Sequence, residues 1–457
     1  MPPQQELIIS ASSATTGKTA ASQTAAPAIH LHNLSTSSLV AAFKTSTSAQ
    51  NSLAYVQSRN GSGGGVFAVQ EEKALDQMHI KLHLPEKMTC FTVSNNGCWA
   101  AAGSHNGHIY MWELASGLLL SSHTAHYRAI TSLIFTPDSC LLISMSLDSS
   151  VQIYLVSRLV DPEDTVEATK PYGVLKDHTL GVRCAALGVL GIGGRVWTCS
   201  DDGTVKLWSL TPPFDLLCTF MLPSSTTPTT LAVDPSERFF YVGTIQGQVF
   251  HVPLFRKRST IGETSAVEEW GSAHGVDGVP IKTEGNVIQL CEASVTSLAL
   301  SISSSHLLIG TSAGTIQIHS LPSHQHLRTL SPHAGPVTYL ATMLRPCDLV
   351  GSTSREDTPI MEIKNLERIR SRSVREAHNP SILLRTPASH LTSLLENLRP
   401  PESLHTVGPV PILNDQNEEI ERLKEENKRL RATVQRANKI NEKMWTGILD
   451  MKLKEQL

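Results

Sequence analysis

His178, Thr198, Asp202 and Trp208 bring an imidazole, a hydroxyl, a carboxylate and an indole together within one short stretch of the chain. An imidazole oriented by a carboxylate and facing a hydroxyl is the arrangement that activates an oxygen nucleophile. A second set, His126, Ser144, Asp148 and Tyr154, repeats the order one segment earlier. Buried polar groups must be paired, and that requirement alone explains such a recurring network without catalysis. Both sets are therefore read as structural hydrogen-bond tetrads, and no catalytic residue is expected.

Other candidate chemistry falls away on similar grounds. Ser12-Ser-Ala-Thr-Thr-Gly17-Lys18-Thr19 resembles a phosphate-binding loop, but Ser12 stands where the first glycine should be. Neither a buried strand before it nor a helix after it is evident, so nucleotide binding is not expected. The 19 histidines include the pairs His123/His126 and His324/His326, with no carboxylate or cysteine at a zinc-ligand spacing. They are placed in turns. The eight cysteines (90, 98, 140, 184, 199, 218, 291, 347) are scattered, form no C-x-x-C pair, and mostly fall in strand-like segments as small apolar residues. Neither redox nor zinc use is expected, and a reducing compartment fits the pattern. The reading includes no cofactor and no metal.

The bulk numbers agree with a soluble, intracellular protein. Hydrophobic residues make up 40%, charged residues 17%, and the net charge of −3 gives no general attraction to nucleic acid or acidic membranes. The first residues lack the basic and apolar regions of a signal peptide. The longest apolar run, Val182 to Gly194, contains Arg183 and several glycines and is too short to cross a bilayer.

The elements that position the tetrads are strands. Arg195 to Ser200 and Thr204 to Leu210 form a hairpin whose turn, Asp201-Asp202-Gly203, uses glycine for its positive φ. This is the pattern of a WD-repeat propeller blade, and imperfect copies of it run through most of the chain. Third strands are expected at Ile29–Leu34, Leu75–Leu82, Ile109–Leu114, Val151–Val156, Val205–Leu210, Val249–Leu254 and Ile316–Leu321. Seven copies predict an all-β, seven-bladed propeller. Leu7 to Ser10 is the second strand of the first blade. A strand through Val337 to Met343, after His333-Ala-Gly-Pro-Val337, would fill its missing inner position and close the ring. An eighth partial blade using Ile360 to Leu366 is an alternative.

Ser157 to Lys170 and Arg256 to Asn286 read as rim loops. Residues 367–415 read as a polar linker; its basic run, Arg368 to Arg375, is taken as solvated. The domains are thus 1–366, the propeller closed by the segment after residue 333; 367–415, the linker; and 416–457, a coiled-coil dimerisation helix. In the last segment Ile420, Asn427, Val434, Asn441 and Ile448 fall at heptad position a, and Leu423, Leu430, Ala437, Met444 and Met451 at d. Asn at a favours a parallel two-stranded register, and Glu419 and Glu426 at g would face Lys424 and Arg431 at e. The prediction is a homodimer. Ile440, Trp445, Leu449 and Leu453 lie outside the seam and predict a further contact.

Four stretches carry a family resemblance: Ile109-Tyr-Met-Trp-Glu-Leu-Ala-Ser-Gly-Leu-Leu-Leu120, Ala125-His-Tyr-Arg-Ala-Ile-Thr131, Lys176-Asp-His-Thr-Leu-Gly-Val182 and Val233-Asp-Pro-Ser-Glu-Arg-Phe-Phe-Tyr-Val-Gly243. The chain resembles the IPI family of WD-repeat proteins, subunits of the rixosome (Rix complex), from about Leu75 to Leu321 and again in the last forty residues. The resemblance implies a non-enzymatic scaffold in the nucleus (nucleoplasm and nucleolus) for large ribosomal subunit maturation and processing of the second internal transcribed spacer. It implies as partners the helical-repeat Rix subunit, another IPI subunit, the pre-ribosomal particle with its AAA-type ATPase, and chromatin, with an added role in replication licensing. No membrane partner is expected. Two other functions suit the fold. A ubiquitin-ligase substrate receptor would need an F-box or similar element, which is not found. A phosphoinositide-binding propeller would need a Phe-Arg-Arg-Gly type motif, and Phe255-Arg256-Lys257-Arg258 lacks the glycine. That run is read as a basic loop or a nuclear-import signal.

Overall fold

The computed structural model describes residues 5–13, 28–44, 48, 50–56, 65–69, 82–160, 169–191, 193–223, 226–258, 266–269, 281–282, 287–345, 363–369 and 428–429. The chain divides into Met1–Ile382 and Leu383–Leu457. In the second unit only Lys428 and Arg429 are described, both helical and exposed. All ten seam residues, from Ile420 to Met451, lie outside the described residues.

The described residues of the first unit are mostly in short strands. In chain order these are β1 (Glu6–Ser12), β2 (Ala28–Asn33), β3 (Leu39–Lys44), β4 (Leu53–Val56) and β5 (Gly65–Ala68). Then come β6 (Met88–Val93), β7 (Trp99–Ser104), β8 (His108–Glu113), β9 (Leu119–Thr124), β10 (Ile130–Phe135), β11 (Leu141–Ser146) and β12 (Val151–Leu155). A five-residue helix, α1 (Val156–Val160), precedes β13 (Gly173–Leu175), β14 (Val182–Leu187), β15 (Arg195–Ser200), β16 (Thr204–Ser209) and β17 (Leu216–Met221). Next are β18 (Pro228–Val233), β19 (Phe239–Thr244), β20 (Gln248–Pro253), β21 (Phe255–Arg258), β22 (Ala266–Glu269), β23 (Ile281–Lys282) and β24 (Val287–Leu290). The last are β25 (Val295–Leu300), β26 (His306–Thr311), β27 (Ile316–Ser320), β28 (His326–Leu330) and β29 (Val337–Leu344).

Antiparallel meanders give the four-stranded sheets β6-β7-β8-β9, β10-β11-β12-β13, β18-β19-β20-β24 and β25-β26-β27-β28. A fifth has the order β29-β1-β2-β3, and β14-β15-β16-β17 gains β23 as a parallel edge strand. Each repeat is a hairpin followed by further strands because β-branched and bulky residues alternate between tight turns. At the turn between β15 and β16, Gly203 has φ +76°, a value that a side chain would strain. The middle strands are buried on both faces: Arg195–Ser200 and Leu141–Ser146 are covered by neighbouring sheets, and Trp197 is fully enclosed. These sheets form a WD β-propeller.

Neighbouring sheets are held together by more than apolar contact. The second residue of an inner strand is repeatedly threonine, and its hydroxyl donates to the first residue of the next inner strand. Thr89 reaches Ile130 O at 2.6 Å, Thr131 reaches Val182 O at 2.7 Å, Thr229 reaches Val295 O at 2.7 Å and Thr296 reaches Val337 O at 2.6 Å. In β14 the corresponding residue is Arg183, whose guanidinium instead binds Asp201 at 2.8 Å. Glycine supports the same junction where space runs out. A Cβ on Gly243 would lie 2.6 Å from Val295 Cγ1, so this residue must be glycine for the sheets to approach so closely.

The strand expected at Val337 to Met343 is β29, which pairs antiparallel with β1 from Glu6↔Leu344 to Ser12↔Val337. The first sheet is tied onward to β4 by Tyr55 Oη donating to Thr342 O at 3.1 Å. A cavity of about 450 Å³ is lined by residues of β4, β6, β10, β14, β18, β25 and β29.

Several expectations need correction. Ser157 to Lys170 is not simply a loop, since residues 156–160 form α1. Within Arg256 to Asn286, β21 pairs with β22 and β23 joins β17. Ser12 does end a buried strand, β1, although residues 14–19 lie outside the described residues. Of Leu75–Leu82 only Leu82 is described, partly buried against the sheet of β6 to β9. Residues 363–366 form no strand. They dock on that same sheet, where Lys364 N donates to Leu114 O, Glu367 N donates to Gly117 O, and Leu366 is buried.

Candidate functional site: the buried polar tetrads

In the sheet of β14 to β17 the loop before β14 carries His178, β15 carries Thr198, the β15–β16 turn carries Asp202, and β16 carries Trp208. The structure brings all four together. His178 Nδ1 lies 3.0 Å from Asp202 Oδ2, and its Nε2 lies 2.8 Å from Thr198 Oγ1. Trp208 Nε1 donates to the same Thr198 oxygen at 3.0 Å. One proton assignment satisfies every atom: the indole donates to the hydroxyl, the hydroxyl donates to Nε2, and Nδ1–H donates to the carboxylate. Asp202 also accepts from Thr179 N and from the hydroxyl and backbone N–H of Thr204. Burial pushes its carboxyl pKa up, but the hydrogen bonds from His178 and Thr204 outweigh that, so the net value is well below the usual carboxylate range. Thr198 is fully buried, and His178 and Trp208 nearly so. A nucleophilic hydroxyl must meet a substrate, and among the described residues this one meets His178, Trp208 and the Lys206 carbonyl.

One sheet earlier the set is closed differently. His126 Nδ1 lies 3.0 Å from Asp148 Oδ2, and Nε2 lies 2.8 Å from Ser144 Oγ. Burial again opposes ionisation of Asp148, and the bonds from His126 and Ser150 again prevail, leaving its pKa low. Tyr154, however, does not join Ser144. Its hydroxyl donates to Gln152 Oε1, and Gln152 Nε2 donates to Ala125 O. A phenol carries its polar atom further from the backbone than an indole does, and the neighbouring amide receives it. Gln152 was not singled out from the sequence, though it stands two residues before Tyr154 on the same face of β12.

The sheet of β6 to β9 has lost the hydroxyl. Ala102 lies opposite Tyr110, as Thr198 lies opposite Lys206, and Trp112 stands where Trp208 does. With no side-chain acceptor, Trp112 Nε1 donates to Glu367 O at 2.8 Å, in the segment docked on this sheet. Beside it Glu86 accepts from Tyr110 Oη at 2.5 Å and lies 3.0 Å from His108 Nδ1. The Tyr110 bond is the largest influence holding the Glu86 carboxyl below its ordinary value.

The β29-β1-β2-β3 sheet keeps the histidine and the hydroxyl. His333 precedes Val337 by the same four residues that separate His178 from Val182. Its Nε2 lies 2.9 Å from Ser10 Oγ, and its ring stacks on His30 with centroids 4.8 Å apart. His30 is opposite Ser10, and His32 takes the Trp208 place. The buried Nδ1 atoms of His30, His32 and His333 have no hydrogen-bond partner among the described residues. Burial lowers all three imidazoles, His32 to about 4 and His333 to about 3.

The remaining histidine expectations are partly overturned. His123 and His326 belong to strands β9 and β28 rather than turns, while His126 and His324 lie in loops. No group of three or more metal-ligating side chains is assembled among the described residues. Phe255–Arg258 forms β21, so this basic run is a strand rather than a loop. The inter-sheet threonines were also missed, although Met88-Thr89, Ile130-Thr131, Val295-Thr296 and Val337-Thr338 repeat visibly at the start of the inner strands.

The chain matches the WD40 family, described as WD domain, G-beta repeat, at residues 77–113, 117–154 and 169–209. The last of these matches contains the complete tetrad. The chain is 36% identical over 324 residues to the pre-rRNA-processing protein IPI3 of Yarrowia lipolytica, covering 69% of this chain and 70% of that protein. It is 32% identical over 337 residues to the pre-rRNA-processing protein crb3/ipi3 of Schizosaccharomyces pombe, covering 68% and 73%. WD repeat-containing protein 18 of Bos taurus is 29% identical over 323 residues, covering 71% and 70%. A propeller with these tetrads, similar along this length to proteins of one kind, belongs to the IPI3 family of WD-repeat proteins that act in pre-rRNA processing.

Proposed function

We propose that this chain is a non-enzymatic scaffold subunit of a nuclear complex for large ribosomal subunit maturation, favouring removal of the second internal transcribed spacer. The observation that carries the reading is the closed tetrad. The residues best suited to catalysis, His178, Thr198 and Asp202, use their polar atoms on one another and on Trp208 inside a sheet. Their role is structural, and the surface of the propeller is what partners meet. The two-stranded β4–β5 sheet is read as the inner half of a further blade. With the six larger sheets it makes seven, in line with the seven inner strands around the cavity.

The polar segment 367–415 serves as linker, and 416–457 as the dimerising helix with Ile420, Leu423, Asn427, Leu430, Val434, Ala437, Asn441, Met444, Ile448 and Met451 on its seam. A dimer gives the complex a two-fold core, to which the helical-repeat Rix subunit and another IPI subunit bind. The assembly then docks on the pre-ribosomal particle beside its AAA-type ATPase; chromatin binding and a part in replication licensing extend the same scaffold role. The lipid reading is disfavoured because β21 pairs Arg256 with Glu268 and Phe255 with Glu269, so acidic residues stand in register with the basic run.

Depleting the protein should cause pre-rRNA that retains the second internal transcribed spacer to accumulate. Restoring the wild-type chain should clear it. Normal processing after complete depletion would overturn the assignment. Replacing Leu423, Leu430 and Val434 with Asp should give a monomer by mass measurement with an unchanged propeller melting transition, and a persistent dimer would reject the seam.

A further inference from the structure

Cys184 and Cys199 stand directly opposite one another in the antiparallel pairing of β14 with β15. Opposed residues of an antiparallel pair have Cα atoms about 4.5–5.5 Å apart. This falls inside the window of about 4.4–6.8 Å found for disulfides. Their sulfurs are already 2.9 Å apart, with both cysteines in the free form. The register shift between Val182 and Cys184 brings the two side chains face to face on the same side of the sheet. Scattered spacing in the sequence, fifteen residues apart, hid this juxtaposition, and no redox use was expected from it.

Cys184 is half-buried and lines the cavity bounded by the inner strands, whereas Cys199 lies fully buried behind it. We propose that Cys184 and Cys199 form a reversible intramolecular disulfide site that is oxidised by a low-molecular-weight disulfide such as glutathione disulfide. The Cys184 thiolate attacks one sulfur of glutathione disulfide, forms a mixed disulfide and expels one glutathione thiolate. Cys199 then loses its proton, attacks the Cys184 sulfur and expels the second glutathione. Two protein thiols thereby lose two electrons and two protons, and the oxidant becomes two molecules of glutathione.

The Cys199 contact, followed by burial, raises the Cys184 thiol well above its ordinary range. Little thiolate is present near neutral pH, so the first step is slow and speeds up as the pH rises. The bond would join β14 to β15 next to Thr198, fixing the sheet that carries the complete tetrad.

The test uses the purified full-length protein, incubated with glutathione disulfide, unfolded, alkylated with iodoacetamide, digested and weighed. Cys98 and Cys140 are exposed and report that the reagent is active by taking up glutathione. The expected product is a pair of peptides joined through Cys184 and Cys199 with two hydrogens lost, separated again by dithiothreitol. Cys184→Ser should abolish the bridged species and leave Cys199 alkylated. Oxidation should raise the melting temperature, since the bond fits the native pairing. A parallel sample refolded from denaturant in the same oxidising buffer removes any limit of access. The proposal is overturned if both thiols are alkylated in both samples while Cys98 and Cys140 carry glutathione. It is also overturned if either cysteine bridges elsewhere, or if oxidation lowers the melting temperature.

Discussion

In the sheet of β14 to β17 an imidazole sits between a carboxylate and a hydroxyl. In the sheet of β29 and β1 to β3 an imidazole at the same offset sits between a hydroxyl and a second imidazole, His30, which in turn meets His32. His178 has both ring nitrogens occupied, by Asp202 and Thr198. His333 has one, on Ser10, and its Nδ1 is buried without a partner among the described residues. The cost of an unmatched buried polar atom is about 1–3 kcal/mol. The first arrangement avoids that cost at its histidine, although Trp197 Nε1 on β15 is also buried without a partner among the described residues. The second tolerates it in the sheet where the first and last strands of the propeller meet, where apolar residues such as Leu7, Ile9 and Met343 supply the cohesion. A fully buried aliphatic side chain contributes roughly 1.5–3 kcal/mol. A propeller can therefore relax its polar network in one sheet provided that sheet's apolar packing is complete.

The comparison can be broken by substitution. Asp202→Ala should lower stability by about 1–3 kcal/mol, because it leaves His178 Nδ1 and Thr204 unmatched. Chemical denaturation measures the loss. If the variant kept its stability but lost partner binding, the structural role of the tetrad would be wrong. Ser10→Ala removes the one partner of His333 Nε2 among the described residues, and a smaller loss of about 1 kcal/mol is expected. An equal loss in both variants would erase the distinction between the sheets.

Acid should separate the two sheets. The carboxyl of Asp202 is depressed in the folded protein, so its contribution is complete above the unfolded value of about 3.9 and disappears as the pH falls below it. His32 and His333 are also depressed, to about 4 and about 3. Their neutral forms favour folding fully above the unfolded value of about 6.5, and that contribution shrinks as the pH falls from there. Hydrogen exchange, corrected for its intrinsic pH dependence, should show β1 and β29 losing protection between about pH 6.5 and 4. Over the same range β15 should stay protected, and simultaneous opening would contradict the assignment. The smallest effect is expected from Trp112→Phe, which keeps an aromatic ring but removes the donor to Glu367 O. A loss of about 0.5 kcal/mol should appear, with faster proteolysis at residues 363–369.

Much of this was legible in the sequence. Six of the seven expected third strands coincide with β2, β8, β12, β16, β20 and β27, and for all but β2 a turn and an alternating run make a local signal that needs no knowledge of the fold. The membership of the His178 set could be read for the same reason, from fixed offsets within one repeat. What escaped depends on contacts between repeats. Gln152 displaced Ser144 as the partner of Tyr154 through side-chain reach, which spacing does not encode. The threonine bonds join residues 41 to 66 positions apart, and the partner in each case is a backbone carbonyl with no sequence signature. Trp112 looked like any repeat tryptophan; only the absence of a hydroxyl at Ala102 frees its N–H for Glu367.

That last bond has a mechanical meaning. The chain finishes β29 in the sheet it shares with β1, yet Ile363, Leu366 and Glu367 are fastened on the sheet of β6 to β9. A pull on the chain beyond residue 369 would first meet the Trp112 indole and the backbone bonds at Leu114 and Gly117. The β1–β29 pairing, whose Glu6↔Leu344 end would otherwise open rung by rung like a zip, is thereby kept out of the line of force.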